Sequence, residues 1–73
     1  MSVHEAFGKR LCKARKRAGL SQYELAEKLQ ITQPAVSWWE NGRHAPTLEF
    51  MIPLAEALGV TVGWLAAGEG EMV

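Results

Sequence analysis

The sequence predicts an all-α fold, a single small domain of five short helices over residues 1–67 followed by a tail or linker start at 68–73. Three observations predict it. Period-2 alternation of apolar and polar residues, the mark of a half-buried strand, is absent along the chain. Helix-capping residues recur at short intervals, at Ser21, Thr32, Thr47 and Thr61. Between them apolar residues return at helical spacing. With 73 residues, such a domain buries only about 60% of its unfolded surface, so its core must come from a few well-patterned elements. A hydrophobic content of 48% with 22% charged residues suits a packed globule rather than a disordered segment.

The first helix is expected from Val3 to Ala18 and stops at Gly19. At about 100° per residue, Phe7, Leu11, Ala14 and Ala18 share one narrow arc, and Lys9, Arg10, Lys13, Lys16 and Arg17 are assigned to the opposite, solvated side. The second opens at Ser21, whose side chain can cap it, with Glu24 completing a capping box. Leu25, Ala26 and Leu29 form its apolar face, and Glu24 and Lys28 stand four apart in the order that favours an ion pair. Only Gln30 and Ile31 link it to the third helix. That helix has Thr32 as its cap and Pro34 in its first turn, where a missing N–H costs nothing, and it runs to about Asn41 before Gly42. Arg43 to Pro46 form a loop. Thr47 caps a fourth helix to Leu58, in which Pro53 should cause a kink or a delayed start. Thr61 caps a short fifth through Ala67, and Gly68-Glu69-Gly70 reads as an exit.

Charge is distributed more tellingly than its zero sum suggests. Residues 1–43 hold all eight Lys and Arg against four Glu, a balance of +4, whereas residues 44–73 hold four Glu and no Lys or Arg, a balance of −4. One end can face a polyanion while the other turns away. A lone cysteine, Cys12, gives no internal disulfide, and with no signal peptide the chain fits a reducing cytoplasm. No apolar stretch approaches the ~20 residues of a membrane span. His4 and His44 are isolated, so no metal site is expected, and no cofactor fingerprint or nucleophile–base pairing points to an enzyme.

Gln22 to Asn41 carries the functional reading. A two-residue link is too tight for antiparallel packing, so the second and third helices must cross steeply, as in a helix-turn-helix. On the third helix, Ala35, Val36 and Trp39 share the inner arc, which leaves Gln33, Pro34, Ser37 and Trp38 outside. An uncharged outer face of this kind suits the reading of base edges: Gln can bond adenine twice, Ser serves either sense, and an aromatic ring can touch a thymine methyl. Phosphate contacts are expected from Ser21 and Gln22 at the start of the second helix, from Thr32, and from Asn41 and Arg43 after the third. Arg15 and Glu40 border the inner arcs of their helices, each about 40° from a core residue, and are expected to form a partly buried ion pair.

Leu20-Ser21-Gln22, Glu24-Leu25-Ala26, Thr32-Gln33 through Val36-Ser37, and Trp39-Glu40-Asn41-Gly42 resemble the Xre/Cro and lambdoid phage repressor family. Pro46 to Glu49, Leu54-Ala55, Ala57 to Val60 and Trp64-Leu65 continue the likeness, which covers roughly residues 7–70. The resemblance implies a five-helix repressor fold acting as a homodimer on double-stranded DNA, with the third helix in the major groove of each half-site. It implies base contacts at Gln33, Ser37 and Trp38, phosphate contacts at Gln22, Asn41 and Arg43, a counterpart of the Arg15–Glu40 pair, and a dimer face on the fifth helix with Val62, Trp64 and Leu65. Three departures stand out: Gln30 where the family has a turn glycine, Trp38 where it has Arg, Lys or Gln, and Pro53 within the fourth helix.

The sequence is therefore expected to encode a repressor- or Cro-like regulator of transcription binding a pseudo-palindromic operator. The nearest rivals are a restriction-modification controller, an autoregulating antitoxin with a toxin partner, and a protein-interaction module using the Trp38 face. A further C-terminal domain beyond residue 73 is a fourth reading.

Overall fold

The computed structural model describes residues 2–73 and contains five helices in the order α1 (Val3–Arg17), α2 (Gln22–Leu29), α3 (Gln33–Glu40), α4 (Leu48–Leu58) and α5 (Val62–Ala67), with no strand among the described residues. Capping residues set most boundaries. Ser2 accepts from the Glu5 amide to start α1, and Ser21 and Glu24 form both halves of a capping box on α2. The Ser21 amide, bonded by the Glu24 carboxylate, holds that carboxyl below its ordinary range. Thr61 accepts from the Trp64 amide and starts α5. Thr32 and Thr47 also stand at helix starts, but their hydroxyls make no capping bond, so backbone conformation alone defines those ends.

One core joins all five helices. Phe7, Leu11 and Ala14 of α1 meet Leu25 and Ala26 of α2, Val36 and Trp39 of α3, Met51, Leu54, Ala55 and Leu58 of α4, and Leu65 of α5. Trp39 stacks at a tilt on Phe50, ring centroids 5.9 Å apart. Each apolar stripe is too short to stabilise an isolated helix, so the elements hold one another in place.

Three sequence expectations change. Pro53 lies inside α4 yet does not delay its start: the helix runs from Leu48 to Leu58. Pro53 and Glu49, the residue whose carbonyl loses its helical partner, both lie on the exposed side of the helix. Arg10 does not belong to the solvated face of α1. Its Nε and Nη2 donate to the Leu65 and Ala66 carbonyls, 2.9 and 3.0 Å away, closing the C-terminus of α5. The chain beyond Gly68 does not exit but turns back over the start of α5. The Thr61 amide donates to the Met72 carbonyl and the Thr61 hydroxyl to that of Glu71 (both 2.8 Å), and Met72 packs against the core.

Candidate nucleic-acid interface

The turn between α2 and α3 rests on Gln30, which adopts a left-handed conformation (φ 57°, ψ 43°) and is the only non-glycine residue with positive φ among those described. That conformation carries a strain a glycine would avoid. Its amide and that of Ile31 close the end of α2 on the carbonyls of Glu27 and Ala26, so α3 departs at once from the end of α2. Ala26, buried at the crossing, and Val36 beneath it leave one side of α3 facing out.

On that side Pro34 and Trp38 are exposed and Gln33 and Ser37 half-buried. Trp38 keeps 45% of its surface, whereas its neighbour Trp39 keeps 7%. Two adjacent residues on a helix stand about 100° apart, so one core cannot hold both, and Trp39, flanked by Val36, takes the inner place.

A chain of hydrogen bonds mounts this helix on the scaffold. Arg15 donates from Nε to Glu40 Oε2 (2.6 Å) and from Nη2 to Glu40 Oε1 (3.1 Å), and from Nη1 to the Leu20 carbonyl (2.8 Å). The two side chains are only 12% and 6% exposed. The hydrogen bond to Glu40 raises the pKa of the Arg15 guanidinium above its ordinary value, so Arg15 stays charged. Gln22 Nε2 donates to the same Glu40 Oε1 (3.1 Å), and Gln33 Nε2 donates to Gln22 Oε1 (2.7 Å). Arg15, Glu40, Gln22 and Gln33 thus form one continuous line from α1, through α3 and α2, to the start of the exposed face. The Gln33 amide retains its carbonyl oxygen and one N–H, the acceptor and donor that an adenine edge requires.

The other expected contact residues fall around this line. Asn41 Nδ2 donates to Ser37 Oγ (3.3 Å), which leaves the Ser37 hydroxyl hydrogen free to donate. Thr32 and Arg43 are exposed. Ser21 is occupied twice by its capping box, so the amides of Gln22 and Tyr23, next along α2, are better placed to meet an anion. Gln22 itself is first an orienting residue, since both ends of its amide are engaged.

Sequence reasoning missed two elements of the scaffold around α1. Gly8 is buried, and a Cβ there would stand 2.5 Å from the Glu40 carbonyl oxygen and 2.6 Å from that of Trp39. A glycine inside a 15-residue helix costs about 1 kcal/mol against alanine, and that cost was the signal of a close approach. Arg10 was legible from the same arithmetic that found Arg15, since it lies about 40° from Ala14 on the other border of the apolar arc. The fifth helix needs one correction: Leu65 is fully buried within the chain and belongs to its core, while Val62 and Trp64 are half-buried. Among the described residues no group of three or more His, Cys, Asp or Glu gathers to hold a metal, and no helix is long and apolar enough to cross a membrane.

Comparison with known proteins agrees with the helix-turn-helix fold. The model of a family described as helix-turn-helix matches residues 13–65. The 26 kDa repressor protein of Escherichia phage HK022 is 40% identical over 84% of the chain and 28% of its own length. The P22 c2 repressor, crystallised with a synthetic operator, superimposes with a TM-score of 0.81 at 27% identity, over 86% of this chain and 96% of that one. The restriction-modification controller C.AhdI of Aeromonas hydrophila gives 0.78 at 33% identity, over 84% and 88%. The fold also occurs within an enzyme, the hydroxypropylphosphonic acid epoxidase of S. wedmorenis, which superimposes with a TM-score of 0.81 at 29% identity over 92% of this chain and 36% of that one. The chain spans between about a quarter and a half of the length of several curated relatives, namely 54%, 31% and 28%.

Proposed function

The chain belongs to the helix-turn-helix family of transcriptional regulators that includes the Xre and lambdoid phage repressors, and from that premise we propose that it binds a pseudo-palindromic operator as a homodimer. α3 enters the major groove of each half-site, and Gln33, Pro34, Ser37 and Trp38 face the bases. Gln22, Thr32, Asn41, Arg43 and the backbone around Ser21 face the phosphates. The observation that carries this reading is the hydrogen-bond line from Arg15 to Gln33. A glutamine held at the start of an exposed helix, with one donor and one acceptor still free, is aimed before any ligand arrives. Preorganised groups lose less entropy on binding.

The exposed lysines of α1 (Lys9, Lys13 and Lys16) add a positive field that speeds encounter with DNA. The two copies meet through the surface of α5 at Val62 and Trp64, and the domain regulates transcription without catalysis of its own. The resemblance to C.AhdI favours a second reading, a restriction-modification controller, which shares this DNA chemistry and differs in the genes controlled.

Selection from random duplex DNA at roughly 150 mM salt tests the proposal, since at that ionic strength phosphate contacts alone bind weakly. The expected product is a two-fold symmetric site with half-site centres about 10 base pairs apart. Enrichment of no site, even by a chain dimerised through an added coiled coil, would overturn it. Within the selected site, Gln33→Ala should cost about 1–3 kcal/mol at one base position, whereas Arg43→Ala should weaken all sequences alike and flatten the salt slope.

A further inference from the structure

The end of α3 brings two exposed aromatic rings together. Gly42 takes a left-handed conformation (φ 76°) and reverses the chain, with its amide bonded to the Trp39 carbonyl and that of Arg43 to the Trp38 carbonyl. A side chain at 42 is excluded twice over, because its Cβ would also lie 2.9 Å from Glu5 Cγ of α1. The turn carries His44, two residues beyond Gly42, back against the ring of Trp38. The two rings meet edge to face, centroids 5.6 Å apart and planes 64° to one another. Neither residue belongs to the core, and both lie at the edge of the outward face of α3.

A tryptophan that is 45% exposed would normally sample several rotamers, and each freed rotamer must be frozen again on binding. An edge-to-face partner removes that freedom without covering the indole face that remains outside. We propose that His44 is a positioning residue for DNA recognition, holding the Trp38 indole in the one orientation in which it meets a thymine methyl. The inference rests on the DNA-binding reading above. It makes the α3–α4 loop part of the specificity apparatus through packing rather than through a phosphate contact.

The test combines a measurement on the free protein with one on DNA. In the free protein, His44→Ala should broaden and shift the emission of Trp38 and lower its anisotropy, read as the difference from a Trp38→Phe control. His44→Phe, which keeps an aromatic edge without a ring nitrogen, should restore both. On DNA, the probe is the duplex selected by the unmodified chain, compared with duplexes carrying deoxyuridine for thymine at one position per half-site. Loss of that methyl should weaken the unmodified chain and His44→Phe roughly three- to tenfold, the scale of one aromatic contact, and His44→Ala by much less. In a Trp38→Ala background, His44→Ala should have no further effect, as coupling through one contact requires.

Unaltered Trp38 emission in His44→Ala, an unchanged methyl penalty, or a full loss on His44→Ala when Trp38 is already gone would each overturn the proposal. The last result would make His44 an independent phosphate contact. Failure of the unmodified chain to select any duplex would instead strike the DNA-binding reading, and the emission arm would still decide whether His44 orients Trp38.

Discussion

The two borders of α1 make a controlled comparison within one helix. On one border Arg15 meets a carboxylate, and on the other Arg10 meets only two backbone carbonyls. Both arginines lie about 40° beyond an edge of the same apolar arc, Arg15 from Leu11 and Arg10 from Ala14, and both reach across to another helix. Their partners differ in what they control. Arg15 holds Glu40, and through it Gln22 and Gln33, so its bond direction is passed on to an exposed side chain. Arg10 ends at the C-terminus of α5, where the carbonyls of a helix end attract a cation and nothing lies further along. A charged pair is an expensive way to add stability but a good way to fix geometry. The chain places the charged pair where orientation matters and the neutral acceptors where only docking does.

Substitutions can break or sharpen that contrast. The largest effect is expected from Glu40→Ala, which leaves Arg15 nearly buried without a counter-charge and Gln22 without its acceptor. Thermal unfolding should register a loss of about 3 kcal/mol, the low end for a broken buried pair, and base discrimination should fall with it. A variant that melts like the parent would remove the reason for regarding the Arg15 border as special. Gly8→Ala comes next, because the added methyl must push the Glu40 and Trp39 carbonyls away. Urea titration should show a loss of about 1–3 kcal/mol, the range for overpacking.

Arg10→Ala should cost about 1–2 kcal/mol for its hydrogen bonds to the α5 carbonyls and leave selectivity for the DNA site intact. A change in base preference from this variant would mean that the two borders do the same work. The smallest effect, and the only gain, belongs to Gln30→Gly. Relief of the left-handed strain should exceed the extra chain entropy of glycine and raise the unfolding free energy by about 0.5 kcal/mol.

Most of the fold was legible in the sequence because it is written in local chemistry. The capping box at Ser21 and Glu24, the two-residue link at Gln30-Ile31 and the opposed fates of Trp38 and Trp39 all follow from spacing within a dozen residues. What was not legible depends on where distant backbone lies. Gly8 could be flagged as costly, but the carbonyls it accommodates belong to residues 39 and 40, more than thirty positions away. The bond from Gln33 to Gln22 needed the crossing angle of α2 and α3 as well as their sequence. The angle of Arg10 on α1 already sets it apart from the lysines, but the Leu65 carbonyl it meets lies 55 positions away.

The folded-back C-terminal segment bears on how the molecule breathes. α5 has six residues, far below the length at which a helix persists alone in water. Its first turn is tied to residues 71 and 72 through Thr61, and the Gly63 carbonyl accepts from the Glu69 amide. Helix and segment are therefore expected to open together, ahead of the α2–α3 crossing. In hydrogen exchange the amides of Thr61, Leu65 and Glu69 would trade their protons at a common rate, faster than those of Leu25 and Val36. The surface offered by Val62 and Trp64 would come and go with that same opening.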